Sequence, residues 1–530
     1  MHLLNVHSNF SLLQGTISVE GLIQYAKSKN LKSLVLSDTN GMYGLVKFAK
    51  LAKEENIKPI FGTVITELKN REVSVLLLAK NNSGYATLCR IITSRKLDEN
   101  FSIEKLLSVY LPDLFVIVSS LELLKKIPVF DNIYIELIST QSTKKKAREL
   151  YEYAIQNSIR FVASQPVFFL KEEDYIIHKT LRAIGLRKTI SNLDESDLVN
   201  PEYYFPEDKK FVKKWASIPE ALQNAEFIHE NCNVDLKIGE YKFPQFPVEG
   251  NDTALSMLHS LAFEGLKQRY KKINKRIIER LQYELDIISK LNFVDYFLVV
   301  WDIVSEAKKR GMMMIGRGSA ANSLVSYCLG FTEVDPIKYD LYFERFLNLG
   351  RTSPPDVDLD FSWKERDEII KYVFEKYGYE RVAMISTTVT FRARSAFREV
   401  AKAFGIPDRE VSKYSKYIPW TNAVNLPNLN KLYPESKHLN LNPEPWKTIV
   451  GIAARIANFP RFSGIHPGGI VIAPGRITNY TALEYAKNKG LGLIVTQPDM
   501  YSIEDLGLVK IDLLSQRSLG VLRDSLKLIQ

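Results

Sequence analysis

Cysteine is scarce in this chain of 530 residues: Cys89, Cys232 and Cys328 stand far apart. Their odd number and wide spacing give neither a zinc-ligand pattern nor a disulfide framework, which fits a reducing cytoplasm. Long apolar runs are missing too. The stretch 291–304 is interrupted by Asp295 and Asp302, so it is too short and too charged to span a bilayer. No secretory leader and no membrane partner are expected, because His2 to Val6 runs straight into polar residues. What remains is ordinary: 45% hydrophobic and 25% charged residues, with a formal net charge of +10. That excess permits a polyanionic partner without identifying one. Such a length exceeds a single core, and roughly one domain per 150 residues gives three or four.

One stretch organises the chain: Pro354-Pro355-Asp356-Val357-Asp358-Leu359-Asp360-Phe361. Alternate residues of a strand face the same way. Val357, Leu359 and Phe361 are therefore expected in the core, with Asp356, Asp358 and Asp360 on the other face. A row of like charges destabilises a sheet unless a cation compensates it. Oxygen ligands of this kind suit magnesium or manganese, and paired ions serve in-line phosphoryl transfer. An acidic edge strand on a solvated surface has the same pattern.

To about residue 230 the chain alternates short strands and helices. Strands are expected at 3–6, 34–36, 75–78, 115–118, 133–137 and 161–163, with helical spacing at 19–27, 43–54 and 145–154. The rhythm predicts a parallel α/β domain or barrel, whose ligands sit at the C-terminal ends of strands. His7 and Asp38 fall at such ends and serve either a metal or loop capping. Residues 233–250, with Pro244, Pro247 and two glycines, read as a linker. A long helical region over 254–291 follows, with Leu281, Leu285 and Ile288 as its apolar stripe.

Further on, an apolar strand at 312–315 leads into Gly316-Arg317-Gly318-Ser319 and a helix-forming run, 320–329. A glycine-rich turn before a helix offers N–H groups to an anion, and Arg317 adds a bidentate phosphate donor. The turn lacks the Lys-Ser/Thr end of a P-loop and the third glycine of a dinucleotide fingerprint. In Leu508-Val509-Lys510-Ile511-Asp512-Leu513-Leu514 the same period of two buries Val509, Ile511 and Leu513 and leaves Lys510 and Asp512 together. If that strand lies beside 356–361, Asp512 completes a carboxylate cluster; otherwise it is a surface pair. Arg392, Arg394 and Arg398 either track a nucleic-acid backbone or solvate a helix.

These segments carry a resemblance. Asn5-Val6-His7-Ser8, Ser37-Asp38-Thr39 and Lys58-Pro59-Ile60-Phe61-Gly62 resemble the polymerase-and-histidinol-phosphatase (PHP) domain that opens bacterial C-family DNA polymerase alpha subunits. Residues 315–327, with Asn322 where glycine is usual, resemble the palm signature of that family. Phe343-Glu344-Arg345-Phe346, the acidic stretch and Ser463-Gly464-Ile465-His466-Pro467-Gly468-Gly469 follow in the family's order.

The resemblance implies a multidomain α/β protein: a PHP-like β/α barrel, then a mixed α/β nucleotidyltransferase-type palm with an inserted, mostly helical thumb. The expected division is a PHP-like domain over 1–235, a linker over 236–253, palm over 254–390 and 460–515, thumb over 391–459, and the start of fingers over 516–530. It implies a DNA-directed DNA polymerase acting on primer–template DNA and dNTPs with two Mg²⁺ ions, Mn²⁺ being a substitute. Asp356, Asp358 and Asp512 would be its catalytic, metal-holding aspartates, and Asp360 a brace. Gly316, Arg317, Gly318, Ser319 and Lys510 would contact phosphate. His466 either does so or sits in the core. A missing or separately encoded C-terminal half, with fingers and a clamp-binding region, is an expected partner. In the PHP-like part, Asn5, Gln14, Thr39, Val64, Ser74, Pro166 and Phe168 stand where that domain's ligands are expected, leaving His7 and Asp38. A relic that binds no metal is therefore expected there. A non-catalytic DNA-binding or assembly subunit and a PHP-type phosphoesterase or exonuclease are the alternatives.

Overall fold

The computed structural model describes residues 2–248, 252–350, 355, 357–486 and 492–529. Two compact units divide the chain: Met1–Leu236 with Thr387–Gly464 and Thr481–Tyr485, and Lys237–Ser386 with Ile465–Tyr480 and Ala486–Gln530.

The first unit holds six strands in sequential order: β1 (Ser33–Leu36), β2 (Lys58–Thr66), β3 (Ser74–Ala79), β4 (Leu114–Val118), β5 (Ile133–Ile138) and β6 (Arg160–Ser164). The pairs β1–β2, β4–β5 and β5–β6 are parallel, whereas β2–β3 and β3–β4 are antiparallel. This corrects the all-parallel expectation. The sequence reading missed β2, and the short link over 67–73 can join β2 to β3 only as antiparallel neighbours. The expected strand at 3–6 is a single bridge, Val6 to Val167. There the Ser37 N–H donates to the Val6 carbonyl and the Val167 N–H to the Asn5 carbonyl, each at 2.8 Å. The six strands thus form an open half-barrel whose gap this segment fills. Leu4, Val35, Ile60, Leu78 and Phe115 form its core with Ala225 and Ile228 of the helix Pro219–Asn231.

The same unit contains the helices Ala393–Ala403, Asp408–Ser415 and Trp446–Arg455. Phe397, Val400, Trp446 and Ile449 share an apolar cluster with Ile177 and Leu181 of the helix Tyr175–Leu186.

In chain order the remaining strands are β7 (Met314–Arg317), β8 (Asp358–Ser362), β9 (Val382–Thr390), β10 (Pro460–Ile472), β11 (Leu483–Tyr485, in the first unit), β12 (Ile494–Asp499) and β13 (Lys510–Gln516). Neighbours in the second unit's mixed sheet run β12-β9-β10-β13-β8-β7. Val357, Leu359, Phe361, Val509, Ile511 and Leu513 are all buried, as the period of two requires. They join Leu281, Leu285, Phe297 and Ile370 in one core.

Two helical expectations are corrected. The region 254–291 is two helices, Ala254–Arg269 and Lys275–Lys290, because Asn274 caps the second through Ile277 N–H at 3.0 Å. The run 320–329 is a 3₁₀ turn, Gly318–Asn322, then a short helix, Leu324–Cys328, where the Ser323 hydroxyl accepts the Ser326 N–H. Among the described residues, no helix is long and apolar enough to cross a membrane.

A close helix crossing holds this region. A Cβ added at Gly265 would lie 2.0 Å from the Cys328 carbonyl oxygen. Gly265→Ala is expected to destabilise the second unit by about 2–3 kcal/mol, read from denaturant unfolding. A wild-type midpoint would mean that the helices move apart freely.

Candidate functional site

Strand register assembles the site. β13 lies parallel to β8 with Asp512 beside Asp358, and antiparallel to β10 with Gly469 beside Asp512. On the other flank β7 sets Arg317 beside Asp358. Arg317, Asp358, Asp512 and Gly469 thus form one row across four strands. Gly469 is required there, because a Cβ would come within 2.7 Å of His466 Nδ1 and 3.4 Å of Asp512 Oδ1. The third expected aspartate, Asp356, lies outside the described residues.

Cations flank the row. Arg317 places an NH1 atom 3.4 Å from Asp358 Oδ2 and its Nε 2.9 Å from Asp360 Oδ2. The Asp360 hydrogen bond, with the nearby carboxylates, holds the guanidinium pKa above its ordinary value. Asp360 also accepts from Gln516 Nε2 at 3.2 Å, so it anchors Arg317 as well as its own strand. Lys510 Nζ donates to Asp512 Oδ2 at 2.7 Å. His466 Nδ1 accepts the Gly469 N–H at 2.6 Å and the Gly468 N–H at 3.3 Å, which puts the ring proton on Nε2. The same Nδ1 lies 3.6 Å from Asp512 Oδ1.

Asp512 Oδ1 and Asp360 Oδ1 are both buried without a hydrogen-bond partner. A buried carboxylate oxygen in that state is costly and suits a cation ligand. Among the described residues, no group of three or more His, Cys, Asp or Glu side chains is arranged to hold a metal ion. Aspartate oxygens nevertheless form the donor set a hard divalent cation takes.

Beside the acids, Gly316 approaches its neighbour too closely for any side chain: a Cβ would sit 1.8 Å from the Phe331 carbonyl oxygen. Gly318 adopts a φ of +77°, where glycine is favoured. The expected 316–319 turn is therefore corrected: Gly316 and Arg317 end β7, and Gly318 and Ser319 open the 3₁₀ segment, with both glycines needed where they stand.

The other expected residues lie in the first unit. Arg394 donates to the Ile418 carbonyl, at 2.6 Å through NH2, and Arg398 to Ser412, Ser415 and Asp408. Both join helical segments internally. Arg392 is exposed and donates to Asn458 at 3.3 Å.

His7 and Asp38 are buried in a polar cluster. His7 bonds Asn5 Oδ1 at 2.8 Å and Ser11 Oγ at 2.9 Å and stacks on Phe168 at 3.8 Å. Asp38 accepts from the Ser8 N–H, Ser8 Oγ and Ser11 Oγ, each at 2.7 Å. Sequence reasoning missed Glu136, a buried carboxylate that accepts from Asn5 at 3.0 Å and Ser164 at 2.8 Å. Burial pushes the Asp38 pKa up to about 6, and its hydrogen bonds oppose the rise. Burial likewise pushes His7 down to about 3.

Comparisons with known proteins agree with this architecture. Residues 256–515 match the model described as the bacterial DNA polymerase III alpha NTPase domain, and residues 4–160 match the PHP domain. The chain belongs to the bacterial DNA polymerase III alpha family. It is 33% identical to the DNA polymerase III subunit alpha of Bacillus subtilis, over 99% of this chain and 49% of that protein. It is equally 33% identical to the error-prone DNA polymerase of Symbiobacterium thermophilum, over 99% of this chain and 52% of the relative. The alpha subunit of Buchnera aphidicola is 32% identical, with 99% and 49% covered. The chain thus spans about half the length of these relatives.

The pKa of His7 sets a pH dependence. Its folded value is about 3 against an ordinary 6.5, so the unfolded chain binds the extra proton. The stability from a neutral His7 is present above pH 6.5 and is lost as pH falls toward 3. Between pH 6 and 5, wild type is expected to lose stability faster than His7→Gln, by up to ~1.4 kcal/mol per pH unit. Urea unfolding across that range checks it, and parallel slopes would contradict it.

Proposed function

We propose that this chain is the catalytic palm portion of a DNA-directed DNA polymerase, transferring a deoxynucleoside monophosphate from a dNTP to a primer 3′ hydroxyl. The observation that carries this reading is the parallel pairing of Asp358 with Asp512 within the segment matched to the alpha-subunit model. Asp512 Oδ1, buried without a hydrogen-bond partner, fits a divalent ion. Asp358, Asp512 and, by family resemblance, Asp356 would hold two Mg²⁺ ions, or Mn²⁺ in their place. Such ions, when bound, lower the pKa of an attacking hydroxyl and stabilise charge on the transferring phosphoryl and leaving groups.

The protein's own groups do the rest. Arg317 and Lys510 compensate the acids before substrate arrives. A triphosphate is a more highly charged partner, so both cations can turn to it, Arg317 in a bidentate manner. The Gly316-Arg317-Gly318-Ser319 turn would contribute backbone N–H groups and the Ser319 hydroxyl. His466, with Nδ1 engaged by two amides, carries its proton on Nε2 and would turn that N–H toward phosphate.

This reading concerns the site, since the chain matches about half of each relative. In-line attack demands exact placement of the 3′ hydroxyl, and small misplacements cost orders of magnitude in rate. We therefore expect the chain by itself to bind primer–template DNA in a salt-sensitive way and to extend it poorly. A polypeptide supplying the remaining half is the proposed partner, and a cytoplasmic location the proposed setting. The alternative is a non-catalytic DNA-binding or assembly subunit, which primer extension after adding that half would exclude.

Asp512→Asn tests the site directly. Calorimetric Mn²⁺ titration with dNTP and primer–template present is expected to show at least tenfold weaker metal binding (~1.4 kcal/mol). Identical isotherms would remove Asp512 from the metal site.

A further inference from the structure

The helix Lys275–Lys290 buries Glu284 completely. A carboxylate in such a place is costly unless its oxygens are bonded. Here Arg280 Nε donates to Oε1 at 2.6 Å, while Ser323 Oγ and the Val325 N–H donate to Oε2 at 2.8 and 3.0 Å. Arg280 extends the chain of bonds. Its NH2 donates to the carbonyls of Asn322, at 3.1 Å, and Leu341, at 3.0 Å. Asn322, itself buried, donates from Nδ2 to the Ser319 carbonyl at 3.0 Å. Bonds therefore run unbroken from the core helix to the last residue of the 316–319 turn.

Core formation does not need these groups. Leu281, Leu285 and Ile288 already bury the helix's apolar face, and an apolar pair in place of Arg280 and Glu284 would avoid their desolvation. What the bonds add is position. Gly316 and Arg317 are held in β7, but Gly318, at a φ of +77°, and Ser319 lie beyond the strand, and glycine backbone has more freedom to lose on ordering.

We propose that Arg280, Glu284 and Asn322 form a positioning network that pre-organises the 316–319 turn for the triphosphate of an incoming nucleotide. This rests on the nucleotidyl-transfer reading above. Asn322 is the strut: a glycine at that position would leave the Ser319 carbonyl without its side-chain donor. The network acts on nucleotide binding and not on the carboxylates, because none of its bonds reaches Asp358 or Asp512. Fixing the turn beforehand removes an ordering cost from each binding event.

Asn322→Ala isolates the strut and leaves the buried ion pair intact. Calorimetric titrations of the full chain with Mg·dATP, and separately with Mn²⁺ alone, provide the readout. The variant is expected to bind Mg·dATP roughly three- to tenfold more weakly, as loss of one buried hydrogen bond implies, with Mn²⁺ affinity unchanged. Amide hydrogen exchange over 318–323 should accelerate. Arg280→Lys, which lacks the planar fork, should show the same pattern. Wild-type nucleotide affinity and exchange in Asn322→Ala would overturn the strut. Equal losses of Mn²⁺ and nucleotide binding would overturn it as well, showing a site that collapses as a whole. Absence of saturable Mg·dATP binding in the wild type would instead overturn the nucleotidyl-transfer reading, and the network's role with it.

Discussion

Two carboxylates on adjacent strands, in register, are the constraint on which the second unit's chemistry depends. Asp358 and Asp512 are fixed beside each other by backbone hydrogen bonding, so their repulsion cannot be relieved without breaking the sheet. The surroundings answer that repulsion in several ways. Arg317 approaches from β7, Lys510 from the same strand as Asp512, and Gly469 leaves room beside the second acid. Asp360 receives Arg317 and Gln516 at once, which ties the guanidinium to the strand it neutralises. Within β7, the close approach of Gly316 to Phe331 leaves no room for a side chain.

Much of this was legible because strand parity is local. The alternation around Val357 and around Ile511 forecast which side chains enter the core, and all six did. The register between the strands was not legible, since it depends on partners far apart in sequence. Nor could composition show that Arg317 rests on two aspartates in the free protein. The helical errors share one cause: Asn274 and Ser323 are polar N-caps that begin new helices where apolar spacing alone would have run on. The strand β2 escaped notice because Pro59 and Gly62 interrupt a run whose two faces are both largely buried.

Glu136 shows a different limit. It sits in β5, where both faces are buried, so alternation has no solvent side to report. A lone acid in such a strand reads as an exception until its partners are seen. Those partners, Asn5 and Ser164, join a cluster in which His7 and Asp38 are likewise bonded to protein groups. Amides and hydroxyls both donate and accept, so they can satisfy a buried carboxylate or imidazole.

The order in which the two units use the chain has a consequence for how the protein is made. The first unit draws on Thr387–Gly464 and Thr481–Tyr485 as well as Met1–Leu236. Ile177 and Leu181 are therefore synthesised long before Phe397 and Trp446, the aromatic residues with which they share a core. On the ribosome, the helix Tyr175–Leu186 must wait with an unfilled apolar face until more than two hundred further residues have emerged. The same interleaving means that no single cut in the gene separates one unit from the other. Recombination that exchanged only the first 236 codons would import Ile177 and Leu181 without the apolar residues of 391–459 that share their cluster.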